Sequence, residues 1–354
     1  MHIELQNTLP ALKRFFTERI PPNERLSRYL EWAESEHGTI TLLKKVKGRK
    51  PSFQDADILS AVRSDGIDIL EAQQQYGLFN PSRNLEATKW SFDQSERQQL
   101  DTRVLTRLET LARALPSSLL PERLVVVVLP ADCANGTLML NGSGISCYGR
   151  APGYLLLRIW PSTGNLSRLD SVLARSFIHG IRRGVQRIES AIPLGEAFVM
   201  EGLAAAFVQS MVPEAAHPEL ASFLPPADWE EHLSTIARYY GEASYDDVSV
   251  NIYGTPIKAG SMRPPKVVPL TEEELEASCT RLAPQAFRQE ANVVAAHLYG
   301  DPLITAQGLP SFGIPHLGGF EAGYRIVRRF LQKTRSSLSS ALSVPWEDMV
   351  QAER

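Results

Sequence analysis

The chain has 354 residues, 43% of them hydrophobic and 22% charged, with a net charge of −3. That is the balance of a globular protein of about two domains, with no electrostatic drive toward nucleic acid or an anionic membrane. Three cysteines, none in a C-x-x-C pair, exclude a disulfide framework and a thiolate zinc site, and no apolar run approaches the roughly 20 residues of a membrane helix.

The opening residues, Met1-His2-Ile3-Glu4-Leu5, lack the basic segment and apolar run of a signal peptide. A reduced, cytoplasmic protein is the expectation. Residues 1–120 read as a mainly helical N-terminal region. Helical spacing marks 9–19, 24–36 and 54–78, separated by Pro21-Pro22 and by a basic turn ending at Pro51. Residues 95–115 read as one more helix. The lysines and arginines at 44–50 suit a solvated loop.

The texture changes at Arg123–Pro130, whose β-branched run RLVVVVLP predicts a buried strand. Residues 137–140 and 145–148 flank a Gly-rich hairpin turn at 141–144, and 154–160 (YLLLRIW) is a further strand. A helix follows over 166–187, with Ser167 and Asp170 as candidate N-caps, and another over 194–211 after Pro193. Residues 213–266 are loop-rich and read as an insertion or lid. A helix over 271–297 starts at Thr271, with Glu274 three residues on as a capping box. The last long helix spans 319–333. The expected domains are therefore 1–120, helical, and 121–354, α+β, carrying the insertion.

The helix over 166–187 contains Arg175-Ser176-Phe177-Ile178-His179, and the next contains Glu201-Gly202-Leu203-Ala204. A zincin helix reads H-E-x-x-H: two His one turn apart bind zinc, and the Glu between them activates water. A third ligand often comes from a later helix. In that frame His179 is the second ligand and Glu201 the third, while Arg175 stands at the first ligand position and Ser176 at the general-base position. Strand, hairpin, strand, helix, helix is also how a zincin catalytic half is built.

These blocks resemble a bacterial family of predicted zinc-dependent proteases, gluzincin-like, that carries H-E-x-x-H, then E-G-L-A, then G-Y-x-I-V in a late helix. Here the last block reads Gly323-Tyr324-Arg325-Ile326-Val327, preceded by Leu298-Tyr299-Gly300-Asp301 and a Pro/Gly turn at 313–319. The similarity covers residues 120–350. It implies a zincin-like fold, a small twisted sheet over the active-site helices, with Glu201 at the third ligand position. It does not carry an activity over. Arginine offers only N–H donors and stays protonated, so it cannot replace a neutral imidazole on zinc. Serine lacks the tunable pKa of the Glu base.

An Arg175–Glu201 ion pair, with His179 hydrogen-bonded beside it, is the expected occupant of the metal's place. No metal or cofactor is then expected. Tyr324 is a candidate oxyanion donor, and also fits as an amphipathic core tyrosine. His297 and His316 are candidate replacement ligands, but an isolated His is more often a structural donor or a loop residue. Glu196 is expected to be an exposed first-turn acid favoured by the helix dipole. Ser143, Cys133 and Cys147 lack the context of a nucleophile.

The leading expectation is a zinc-metallopeptidase-like protein that has lost metal binding and proteolysis. It would hold a peptide or protein in its cleft by strand addition, with 154–160 as the edge strand. The alternative is an active metallohydrolase that uses zinc through a non-standard ligand set including His179 and Glu201. A third reading reuses the cleft for metal-free chemistry.

Overall fold

A computed structural model describes residues 1–17, 19–35, 85–131, 138–139, 144–188, 192–221, 223, 230–232, 234, 268–301 and 311–353. It is an α+β protein built on a four-stranded sheet in the order β1-β2-β4-β3. The strands are β1 (His2–Asn7), β2 (Arg123–Pro130), β3 (Ile145–Ala151) and β4 (Tyr154–Ile159). β2 runs parallel to both β1 and β4, and β3 is antiparallel to β4. Every residue of β2 after Arg123 is buried, which is why it reads as a continuous β-branched run instead of an alternating one.

Two corrections concern the sheet. The helical reading of the N-terminal region leaves out β1, whose residues pair one for one with Arg123 to Val128. Its alternation His-Ile-Glu-Leu-Gln is a half-exposed strand pattern too short to stand out. The second is that residues 154–160 are not an edge strand: β4 lies between β2 and β3, and among the described residues β3 forms the edge on that side. The buried apolar run Tyr154 to Leu157 in β4 is itself the signature of an interior strand.

The helices are α1 (Leu9–Thr17), α2 (Pro22–Glu34), α3 (Leu85–Arg97), α4 (Leu100–Arg113), α5 (Thr163–Val185), α6 (Leu194–Met211), α7 (Glu272–Leu282), α8 (Ala291–Tyr299), α9 (Gly318–Thr334), α10 (Leu338–Ala341) and α11 (Trp346–Glu353). Residues 95–115 are not one helix: they break at Gln99, whose φ of 50° is left-handed, between α3 and α4. Residues 271–297 likewise divide into α7 and α8, separated by a short 3-10 turn containing Pro284, because proline cannot supply the helix N–H. Thr271 and Glu274 cap α7 reciprocally, as a capping box requires. The N-cap of α5 is Ser162, whose side chain accepts from the Asn165 amide, earlier than Ser167 or Asp170. The predicted helix at 54–78, the basic run at 44–50, the turn at 141–143 and most of the 213–266 stretch lie outside the described residues.

One core runs from Leu9 to Val350, uniting the sheet with helices from both ends of the chain. Among the described residues no helix is long and apolar enough to cross a membrane.

Candidate functional site

Two helices position the site. α5 packs along β3 and β4, and α6 lies against both α5 and α9. The glycines of the sequence blocks explain the closeness of that packing. A Cβ on Gly202 would run into the carbonyl of Gly323, and one on Gly323 into the carbonyl of Phe198. The G of E-G-L-A and the G of G-Y-x-I-V therefore let α6 and α9 meet backbone to backbone, where any side chain would force them apart.

Across the α5–α6 seam the structure brings Arg175, His179 and Glu201 together. Arg175 Nη2 donates to Glu201 Oε2 at 2.7 Å, and His179 Nε2 lies 3.0 Å from the same oxygen. The side chains are 12%, 8% and 4% exposed. The guanidinium carbon of Arg175 sits 4.8 Å from the ring centroids of both Phe223 and Phe320. Cation–π contact of this kind suits the flat, weakly hydrated guanidinium in a dry setting. Arg175 thus has a carboxylate on one side and two aromatic rings packed against it.

Ser176 points elsewhere. Its hydroxyl donates to the backbone carbonyl of Cys147 on β3 at 2.8 Å. A Cβ on Gly149 would strike the Ser176 carbonyl, so the edge strand is held tightly against α5 at this turn. Burial pushes the Cys147 thiol up to about 12, which removes it as a thiolate nucleophile at neutral pH. Cys133 and Ser143 lie outside the described residues.

Tyr324 lies on α9 and lines a cavity with Glu219, Glu321 and Arg328, whose lining does not include Arg175, His179 or Glu201. Burial raises its phenol. His297 is buried, its Nδ1 2.8 Å from the Val293 carbonyl one turn earlier on α8, and burial lowers its pKa. Burial also lowers His316. Among the described residues, no three His, Cys, Asp or Glu side chains are grouped so as to hold a metal ion.

Glu196 corrects the sequence expectation. It is buried, at 3% exposure, and grips Arg182 with both oxygens, at 2.9 and 2.7 Å. Arg182 is wholly buried, and its remaining Nη1 donates to the carbonyls of Leu342 at 2.8 Å and Val344 at 2.6 Å. Helix-dipole reasoning applies to an exposed first turn. This first turn is covered by the segment after α10, so a buried cation decides where the acid goes. The missed signal was the arginine at position 182, one heptad after Arg175 on the same face of α5.

The fold and the site define an α+β protein whose candidate centre joins two successive helices at R-S-F-I-H and E-G-L-A. The chain belongs to the family described as predicted Zn-dependent protease, whose model matches residues 106–264 and 257–351. It is similar to the uncharacterized protein YjfC of Bacillus subtilis (strain 168), at 20% identity over 349 residues, covering 96% of this chain and 94% of that one. No solved structure matches the chain significantly.

The family description implies zinc, and the side chains placed here do not fit it. A zinc site needs lone pairs converging on one point. Arg175 brings only N–H donors, and the Glu201 oxygen nearest His179 already accepts one of them.

Proposed function

We propose that the chain is a zincin-like pseudoenzyme, in which an arginine–glutamate ion pair stands where the metal would be. Its role is to bind an extended peptide or a protein segment as an accessory protein, without cleaving it. The observation that carries this reading is the setting of Arg175. A chance loss of the first histidine would leave a cation stranded beside the helix. Arg175 instead has Glu201 at 2.7 Å and two aromatic rings at 4.8 Å, a surrounding suited to a guanidinium. Ser176 supports the same reading, because its hydroxyl is spent on a strand carbonyl and does not face the ion pair's carboxylate.

Peptide binding is supported by β3. Among the described residues it is an edge strand, and Ser176 ties it to α5 at the residue next to Arg175. An extended peptide added to such an edge gains main-chain hydrogen bonds, with the neighbouring pockets reading its side chains.

The test is metal content by mass spectrometry on purified wild type and on an Arg175→His, Ser176→Glu double variant, with unfolded casein added to each. The expected result is a wild type without stoichiometric zinc that retains casein intact, and a double variant that takes up zinc. A wild type carrying one zinc per chain and cutting casein would overturn the proposal in favour of a working peptidase that uses His179 and Glu201.

A further inference from the structure

The molecule holds a polar cavity that the ion pair at Arg175 does not line. It measures about 410 Å³ and lies between α7, α9 and the turns that follow α6. Glu219 and Glu321 line it, together with His217, Tyr324, Arg325 and Arg328.

The two acids are placed differently. Both oxygens of Glu321 accept from the Leu270 amide, at 3.1 and 3.0 Å. Glu219 keeps one oxygen 3.5 Å from His217 Nδ1, while its Oε2 is buried with no hydrogen-bond partner among the described residues. The Glu219 side chain is only 8% exposed. A buried carboxylate oxygen without a donor costs on the order of 1–3 kcal/mol, more if charged, unless something supplies one. Glu219 lines the cavity, the side from which a ligand approaches it. Burial and the neighbouring Glu219 and Glu274 lift the Glu321 carboxyl to about 7, and burial raises Glu219 as well. Two acids that resist ionising side by side are a natural floor for a cation.

The basic groups at the mouth are unequal too. Arg325 is paired with Glu272 and Glu276. Arg328 is exposed, lies over the Tyr324 ring at 5.6 Å and attracts Glu219 electrostatically, but among the described residues no carboxylate lies within ion-pair distance of it. Glu272 and His217 also line the cavity, but no three His, Cys, Asp or Glu side chains among the described residues are grouped so as to hold a metal ion. The volume falls in the ordinary range for a small organic ligand.

We propose that this cavity binds a zwitterionic amino compound, a free amino acid or a short peptide, with its ammonium group on Glu219 and Glu321 and its carboxylate on Arg328. The ammonium supplies the donor that Glu219 Oε2 lacks, and the guanidinium fork suits a carboxylate. Nothing in this depends on whether the Arg175 centre is active.

The test is a thermal-shift screen of the full-length protein with the free proteinogenic amino acids, tried singly, and with tri-alanine, followed by calorimetric titration of the best binder. Its N-acetylated and C-amidated forms are titrated alongside. Binding by an amino acid but not tri-alanine, or the reverse, identifies the source. Either blocked form should bind about tenfold more weakly or worse, the size of a lost charge-assisted hydrogen bond. Glu219→Gln should reproduce the loss seen on acetylation and Arg328→Gln the loss seen on amidation. Gln matches Glu in size and Arg328 is at the surface, so both variants should fold. No melting shift with any probe, or full affinity in the blocked forms or in both variants, would overturn the proposal.

Discussion

Two buried Arg–Glu pairs cross the same seam between α5 and α6, and they do different things. Arg182 with Glu196 is a weld. Both carboxylate oxygens are engaged, and the spare guanidinium nitrogen holds the carbonyls of Leu342 and Val344, pinning the chain's last turns to the helix pair. Arg175 with Glu201 is built differently. Glu201 Oε2 meets both Arg175 and His179, the arginine retains 12% exposure, and it rests on Phe223 and Phe320. The same residue types on the same two helices make a structural clamp at one end and a candidate binding centre at the other. What separates them is how many of the donors are satisfied by backbone.

That contrast can be broken by mutation, and the largest effect belongs to the weld. Arg182→Met leaves Glu196 buried without its cation and frees two carbonyls, so it should cost about 3–5 kcal/mol, read as a lower urea midpoint. A loss below that of Arg175→Met would mean that the weld has been misjudged. Arg175→Met should cost about 2 kcal/mol, because His179 remains within reach of Glu201 and the methionine can still pack on the two rings. Zinc affinity should stay negligible in this variant, since methionine does not restore a nitrogen ligand; zinc uptake by the single variant would break the account of Arg175. The smallest effect is expected from Ser176→Ala, about 1 kcal/mol for one buried hydroxyl bond. Its discriminating readout is amide exchange along β3, which should speed up around Cys147 while the helix amides near Arg182 stay protected.

Much of this was legible along the chain. The strand over Arg123–Pro130 and the helix over Leu194–Met211 coincide with their predicted bounds, and Thr271 with Glu274 was readable as a capping box. Each depends on residues close in sequence, whose periodicity or short-range hydrogen bonding marks the element. The pairing of Arg175 with Glu201 was also legible, because a family pattern placed the two helices side by side. β1 was not, since six residues of weak alternation become a strand only when β2 supplies their hydrogen bonds. The α3–α4 break turned on the left-handed backbone of one glutamine, a residue that carries no turn signal.

The sequence by itself therefore determined the local elements, the succession of the R-S-F-I-H and E-G-L-A helices, and the chemical fact that Arg175 offers donors where zinc would need lone pairs. Tertiary structure alone decided that Phe223 and Phe320 close on that arginine, that Glu196 is a buried clamp, and that Glu219 and Glu321 share a cavity. The physical reason is range. Capping and periodicity act within a few residues, whereas burial and the partner of a charge depend on segments far apart in sequence, whose meeting no local pattern records.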